Sequence, residues 1–419
     1  MSEAAMRNTG RPRARASIGD VGVLLITTLV VSGCVSAPRS DEPSPQPEPF
    51  VPGMPTSTPL AGTAGNGLIA YSSDGDIHLG DPATGATRPI TRTPEFEVNP
   101  IFSPDGTRIA FVRGDLHVDP ALVVVRTDGS DERVVLTRSA DATPSGPFAW
   151  TPDGGSLVAG VDLPLTHFYD GVLAVVDAAG VDDLLLLTPP LPKAIGAMPF
   201  NGSAQVAPML RPPAGDLILA GGEWDGLVAF TADLATSTEL AGESLAEYEP
   251  FYVEDATWSP DGTMIAIDVA QYDDSRRFIG EGRPNLFLVD GDGSSARPIA
   301  EGKGAQWSPD CSTIAYERRT TGIRPTATIV LIDPTSGEER VLESTRAEQK
   351  TGATVHTTSS NEYHDWFYEA WSWSPDGRSL LVLERHGAAP WVVDLASDTV
   401  TRLPWPSDSG PSWQRIPPG

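Results

Sequence analysis

The sequence is poor in cysteine and histidine, with two of the first and six of the second in 419 residues. Two thiols are too few for a disulfide-stapled scaffold, so a hydrophobic core has to hold the fold. Positive charge is also scarce: 29 Lys+Arg stand against 56 Asp+Glu, a formal net charge of -27. A chain of that sign repels phosphate backbones and anionic headgroups, which excludes nucleic-acid binding and a polybasic membrane patch. Aromatic residues make up only 7% of the chain. The apolar stretch at 21–31 falls well short of the roughly 20 residues that span a bilayer. No G-x-S-x-G, phosphate loop, dinucleotide fingerprint or catalytic triad is legible, so no catalytic residue and no cofactor is expected. What remains is 40% apolar residues, enough for a core, punctuated by 41 Gly and 40 Pro without a collagen period.

The first 34 residues read as an address. Arg7, Arg11, Arg13 and Arg15 precede the apolar stretch, which ends in the small residues Ser32 and Gly33 before Cys34; this is the pattern of a signal peptide. Val31-Ser32-Gly33-Cys34 resembles the lipobox of bacterial lipoproteins. That resemblance implies cleavage before Cys34, a lipid thioether and palmitate on that residue, and attachment to the outer face of the bacterial cell membrane. Residues 35–65 are rich in Pro, Ser, Thr and Glu with no apolar period, the composition of an extended tether.

From residue 66 to 419 one pattern recurs. Its clearest copies open with Phe102-Ser-Pro-Asp-Gly106, Trp150-Thr-Pro-Asp-Gly154, Trp258-Ser-Pro-Asp-Gly262, Trp307-Ser-Pro-Asp-Cys311 and Trp373-Ser-Pro-Asp-Gly377, and a worn copy is Leu210-Arg-Pro-Pro-Ala-Gly215. Proline presets φ, Asp accepts local backbone hydrogens, and Gly supplies the positive φ that ends the turn. Each opening is followed by a β-prone segment such as RIAFV or MIAID, then a second such as ALVVVRT or TIVLID, then a stereotyped Asp- and Gly-bearing turn. Four strands make one unit. The unit starting near Gly67 lacks an opening strand, and the C-terminal Pro411-Ser-Trp413-Gln-Arg415 is an opening strand with nothing after it. Together they make a seventh unit that removes the exposed edges of an open array. The expected fold is all-β: a single β-propeller of seven four-stranded blades, closed between the C-terminal strand and the first blade.

These openings resemble those of the TolB-like β-propellers, and the resemblance covers nearly all of residues 66–419. It implies fold and says little of activity. A proline-rich stretch stands where TolB carries an α/β domain, so a role in envelope translocation is not implied. Oligogalacturonate lyases, which resemble TolB-like propellers, bind a metal through converging histidines. Here His117, His167, His356, His364 and His386 fall in connections on one face, and His78 begins a strand near it, but no two have a local ligand spacing.

Connection lengths divide the propeller into two faces. The A-to-B and C-to-D turns are uniformly short; the B-to-C and D-to-A connections hold the variation, with long ones expected at 161–171, 189–206, 241–256, 268–284 and 345–370. Long irregular connections carry binding function more often than short turns. The longest contains Tyr363, His364, Trp366, Phe367 and Tyr368, a dense aromatic run, and a lesser cluster is Tyr272, Arg276, Arg277 and Phe278. Aromatic rings on loops suit protein or carbohydrate contact. The repeated tryptophans, and the Asp-Gly runs at 72–76 and 290–293, read instead as blade packing and turn chemistry. The expectation is an exported, anchored propeller that binds an envelope protein or a peptide through its long-loop face. Two readings stand beside it: a lyase or hydrolase acting on polysaccharide at a metal held by His117, His167, His364 and His386, and a sensory subunit presenting the propeller to a receptor.

Overall fold

The computed structural model describes residues 63–115, 119–138, 143–162, 171–179, 185–187, 209–222, 226–231, 236–240, 242–245, 251–271, 285–320, 326–348, 370–384 and 387–417. Their strands form seven antiparallel sheets, each of four consecutive strands except the first and the sixth. Strands are lettered A to D in sheet order. Blade 2, for example, is Glu97–Phe102, Arg108–Arg113, Ala121–Arg126 and Arg133–Thr137. Blades 3, 4, 5, 6 and 7 open with Thr143–Trp150, Met209–Leu210, Phe251–Trp258, Lys303–Trp307 and Ala370–Trp373. Blade 1 takes its strand A from the C-terminal end, Ser412–Ile416, and its other strands from Gly65–Ser73, Asp76–Gly80 and Thr87–Pro89. The expected seven blades and their ring closure are therefore present.

Closure is more than a strand pairing. Strand A of blade 1 pairs with Gly65–Ser73 through a bulge between Asn66 and Ile69, and the Gln414 side chain bridges it by accepting from the Leu68 N–H at 3.1 Å. The same amide donates to the Gly106 carbonyl of blade 2 at 2.8 Å. Just upstream, the Ser409 hydroxyl lies 2.6 Å from that of Ser72 and accepts from the Asn99 N–H at 2.8 Å. One C-terminal stretch thus ties blade 1 to blade 2.

Each sheet packs between two neighbours, so its middle strands are buried on both faces and read as continuous apolar runs rather than alternating ones. Strand B of blade 5, MIAIDVAQ, is buried at every position after Met264. The outer D strands are largely exposed, fully so in Glu339–Val341. The core is consequently a ring of seam clusters: Phe102 and Phe111 join blades 1 and 2, Phe148 and Leu157 blades 2 and 3, Trp258 and Phe287 blades 4 and 5, Trp307 and Tyr316 blades 5 and 6, Trp391 and Leu380 blades 6 and 7, and Tyr71 and Trp405 blades 7 and 1.

The repeated tryptophans act at these seams. The indole N–H of Trp150 donates to the Ile101 carbonyl at 3.1 Å, that of Trp307 to Thr257 at 3.3 Å and that of Trp373 to Gln306 at 3.0 Å. Each acceptor is the residue before the aromatic position of the preceding blade, so the repeat encodes its own inter-blade bond. Scarce arginines supply a second clamp. From strand D of one blade, Arg88, Arg133, Arg297 and Arg340 donate to the C-to-D turn carbonyls of Thr127, Ala179, Pro334 and Leu395 in the next. Arg108 and Arg211 lie over the Trp150 and Trp258 rings of the following blades, at 5.1 and 5.8 Å.

Three expected loops are shorter than the sequence suggested. Strand continues to Asp162 in blade 3 and to Gln271 in blade 5, and begins at Phe251 rather than after residue 256. Asp268 and Gln271 read as loop residues because they are polar, yet both are 1% exposed. Residues 242–245 form one helical turn whose Leu245 enters the core between blades 4 and 5, and Ala347–Glu348 pairs back onto Thr326 and Ala327. The B-to-C connection of blade 1 is a two-residue turn with φ of 55° at Asp74 and 88° at Gly75, so this face is not uniformly long-looped.

Candidate functional site

The two faces are built differently. On the turn face, the Ser-Pro-Asp-Gly openings are closed systems. In blade 2 the Asp105 carboxylate accepts from the Ser103 hydroxyl at 2.6 Å and from the Thr107 N–H at 3.0 Å, while the Ser103 hydroxyl oxygen accepts from the Arg108 N–H at 2.9 Å. Blades 3, 5, 6 and 7 repeat the motif with Asp153, Asp261, Asp310 and Asp376. Burial raises the pKa of Asp105, but the bonds from Ser103 and Thr107 and the nearby Arg108 charge outweigh it and hold the carboxyl below its usual value. In the exposed C-to-D turns, hydroxyl and backbone donors lower Asp81, Asp128, Asp292 and Asp394, with the Arg126 charge adding to the effect at Asp128. The Asp290–Gly293 run is explained in this way: Asp292 accepts from the Ser294 N–H at 2.9 Å and Asp290 from the Ser295 hydroxyl at 2.7 Å.

Cys311 takes the glycine place in the blade 6 opening at φ 62°. Burial raises its thiol pKa, with Asp261 of the preceding opening beside it. The corresponding Gly262 has φ +70°, and a Cβ there would collide with the Pro212 carbonyl oxygen, so the blade 5 opening demands glycine for space as well as for conformation.

At the opposite ends of the strands, buried polar side chains gather in blades 5 and 6. The Asp268 carboxylate of strand B accepts from the Gly304 N–H of the next blade. Asn285, at the start of strand C, donates to the Gly302 carbonyl at 2.7 Å and accepts from the Gly302 N–H at 2.8 Å, a two-point clamp on the D-to-A connection. Glu317, fully buried, is paired with Arg319 and lies across the strands from Lys303. Gly304, at φ +67°, has the Trp371 ring where a Cβ would be, which brings the edge of blade 7 into the same group. Blades 1 and 2 carry a second polar group: buried Glu97 accepts from Thr91, from Thr93 at 3.0 Å and from Arg113 at 2.8 Å. Hydrogen bonds to Glu132 and Glu97 push the Arg113 guanidinium further up.

The larger group is the floor of the candidate site. Connection 272–284 leaves from Gln271 and returns at Asn285, and connection 349–369 ends at Ala370–Trp373. The sequence candidates Tyr272, Arg276, Arg277, Phe278, Tyr363, His364, Trp366, Phe367 and Tyr368 belong to these two connections and lie outside the described residues, as do Cys34 and His117, His167, His356 and His386. His78 is described, and it sits in mid-strand with its ring 5.4 Å from that of Tyr71, which stacks in turn on Trp405 at 5.2 Å; it packs at the seam of blades 7 and 1. Among the described residues no group of three or more His, Cys, Asp or Glu is placed to hold a metal ion. Sequence reasoning passed over Asp268, Asn285, Glu317 and Glu97. A carboxylate inside an otherwise apolar strand, as in MIAIDVAQ, was the available signal.

No protein-family model and no curated protein matches the chain. Among solved structures it is similar to TolB from Acinetobacter baumannii, at 14% identity over 85% of this chain and 69% of that one, with a TM-score of 0.45. It is also similar to a putative TolB from Agrobacterium tumefaciens, at 16% identity over 66% and 89% of the two chains, TM-score 0.40. A periplasmic gluconolactonase from Pseudomonas aeruginosa shares 16% identity over 84% and 99%, TM-score 0.46. At these identities the likeness is one of fold. With five Ser/Thr-Pro-Asp openings and one worn copy standing as the A-to-B turns of blades 2 to 7, and the chain's two ends closing blade 1, the chain is in fold a seven-bladed β-propeller.

Proposed function

We propose that the protein is an exported, lipid-anchored propeller that binds an envelope protein or a peptide through its long-loop face, at the ends of blades 5, 6 and 7. The observation that carries this reading is the contrast between the faces. The turn face consumes its polar groups in self-contained turns and inter-blade clamps, leaving few directional groups for a partner. On the loop face, buried and paired polar side chains gather at the strand ends from which connection 272–284 leaves and to which it returns, next to the strand that follows connection 349–369. A group of that kind orients loops without itself offering a reactive group. The anchor in this reading is the lipid on Cys34, reached through residues 35–65. The chain enters blade 1 on the turn face, where the Ala64 N–H donates to the Pro375 carbonyl at 2.9 Å, so the loop connections are at the other end of the strands from Ala64.

Site-specific photo-crosslinking in intact cells tests the reading, with the probe at Trp366 and a control at exposed Asp128. A discrete protein adduct from Trp366 alone is the expected result. No adduct at Trp366, or the same products from both positions, overturns it. The anchor is tested separately: incorporation of an alkyne-palmitate label should disappear in Cys34→Ser.

A further inference from the structure

We propose that residues 51–62, Val-Pro-Gly-Met-Pro-Thr-Ser-Thr-Pro-Leu-Ala-Gly, dock in cis into the cavity between blade 7 and strand A of blade 1 and complete the closing seam. The cavity measures about 290 Å³, and its lining includes Pro309, Trp373, Pro375, Pro411, Trp413 and Arg415 together with Ser372. Proline and indole rings form most of this lining, the surface on which polyproline II segments dock: a PPII chain carries its prolines on a preset backbone, loses little entropy on binding, and packs ring against ring.

The seam itself is unfinished. In the seams entered by Trp150, Trp307 and Trp373 the indole N–H bonds to the preceding blade. At the closing seam neither the Trp413 indole nitrogen nor the Ser372 hydroxyl has a hydrogen-bond partner among the described residues. Further material against this seam would complete packing that the two blades leave open.

The occupant follows from where the chain arrives. Ala64 bonds to the carbonyl of Pro375, itself a lining residue, and Thr63 packs beside Gly377 of the same turn. At ~3.1 Å per residue, Pro59 lies within about 15 Å of Ala64 along an extended chain. Pro52, Pro55 and Pro59 recur through the segment with apolar Met54 and Leu60 among them. Covalent attachment at the rim gives this segment an effective concentration in the mM range, which a free peptide or a second copy has to match from solution.

The test uses full-length chain carrying 5-fluorotryptophan, with Cys34→Ser and Cys311→Ser, and a nitroxide attached at Thr58→Cys. The Trp373 and Trp413 fluorine signals are assigned by their loss in Trp373→Phe and Trp413→Phe. The expected result is that the nitroxide broadens these two signals several-fold more than that of Trp150, with the same ranking from Ser57→Cys, and that Pro52→Ala, Pro55→Ala and Pro59→Ala together abolish the difference. Broadening of Trp373 and Trp413 no greater than that of Trp150 overturns the proposal. So does broadening that appears when spin-labelled, non-fluorinated chain is mixed with fluorinated chain lacking the label, which would make the occupant a second copy.

Discussion

The turn face and the loop face begin from the same repeat and reach opposite ends. On the turn face five of the openings solve the same local problem with nearly the same residues, so hydroxyl, carboxylate and backbone satisfy one another within five or six positions, and arginine carries the bond to the next blade. On the loop face no repeat survives. Blade 1 turns back in two residues at Asp74 and Gly75, while blade 5 departs at Gln271 and returns at Asn285. A propeller is stable once its seams are packed, so selection for stability acts on the strands and the turns that set the seams, and the other connections are free to diverge toward recognition.

The sharpest way to break this contrast is to truncate one tryptophan from each class. Trp307, 7% exposed and bonded across a seam, should cost about 3–5 kcal/mol when changed to Ala, by cavity formation and loss of the indole bond. Trp366→Ala should change stability by less than about 0.5 kcal/mol while abolishing the crosslinked partner. Urea unfolding of the two variants measures both; equal losses would make Trp366 a packing residue and remove the distinction. Next in size is Glu317→Gln, which should lower stability by about 2–3 kcal/mol by leaving the half-buried Arg319 without its counter-charge. The same titration should show an unchanged m-value if only the floor, and not the blade, is disturbed.

Cys311 sharpens the comparison on the turn face. A β-branched residue is poorly tolerated at φ 62°, so Cys311→Val should cost about 1–2 kcal/mol, whereas Cys311→Gly restores the motif and should stay within about 0.5 kcal/mol of the parent. Thermal unfolding of the pair would show whether the conformation or the thiol matters at that place. The smallest effect expected is on pH dependence. The turn carboxylates Asp81, Asp128, Asp292 and Asp394 titrate below their unfolded value because hydroxyl and backbone donors stabilise the charged form. Their contribution is fully present above about pH 4 and is lost as pH falls through the lower folded value. Asp128→Asn should lower Tm slightly at pH 7 and make its decline between pH 4 and 2 shallower, with parent and variant converging near pH 2.

The sequence by itself determined the blade count, the strand order within each blade and the ring closure. Those features rest on short-range chemistry: a proline, an Asp and a positive-φ residue at fixed spacing make a turn wherever they occur, and apolar segments of strand length on either side have to pair. It also marked Trp150, Trp258 and Trp307 as core, since a large ring repeated at one register position has to face a neighbouring sheet. Only the tertiary structure decided which carbonyl each indole meets, that Arg88, Arg133, Arg297 and Arg340 reach across to the next blade, and that Asp268, Asn285, Glu317 and Gly304 come together at one end of blades 5 and 6. These contacts join residues from different blades, and their geometry depends on how one sheet is set against the next. A buried carboxylate such as Asp268 carries no sign in its own strand of the backbone N–H that will satisfy it, because that donor is brought within reach only when blades 5 and 6 pack.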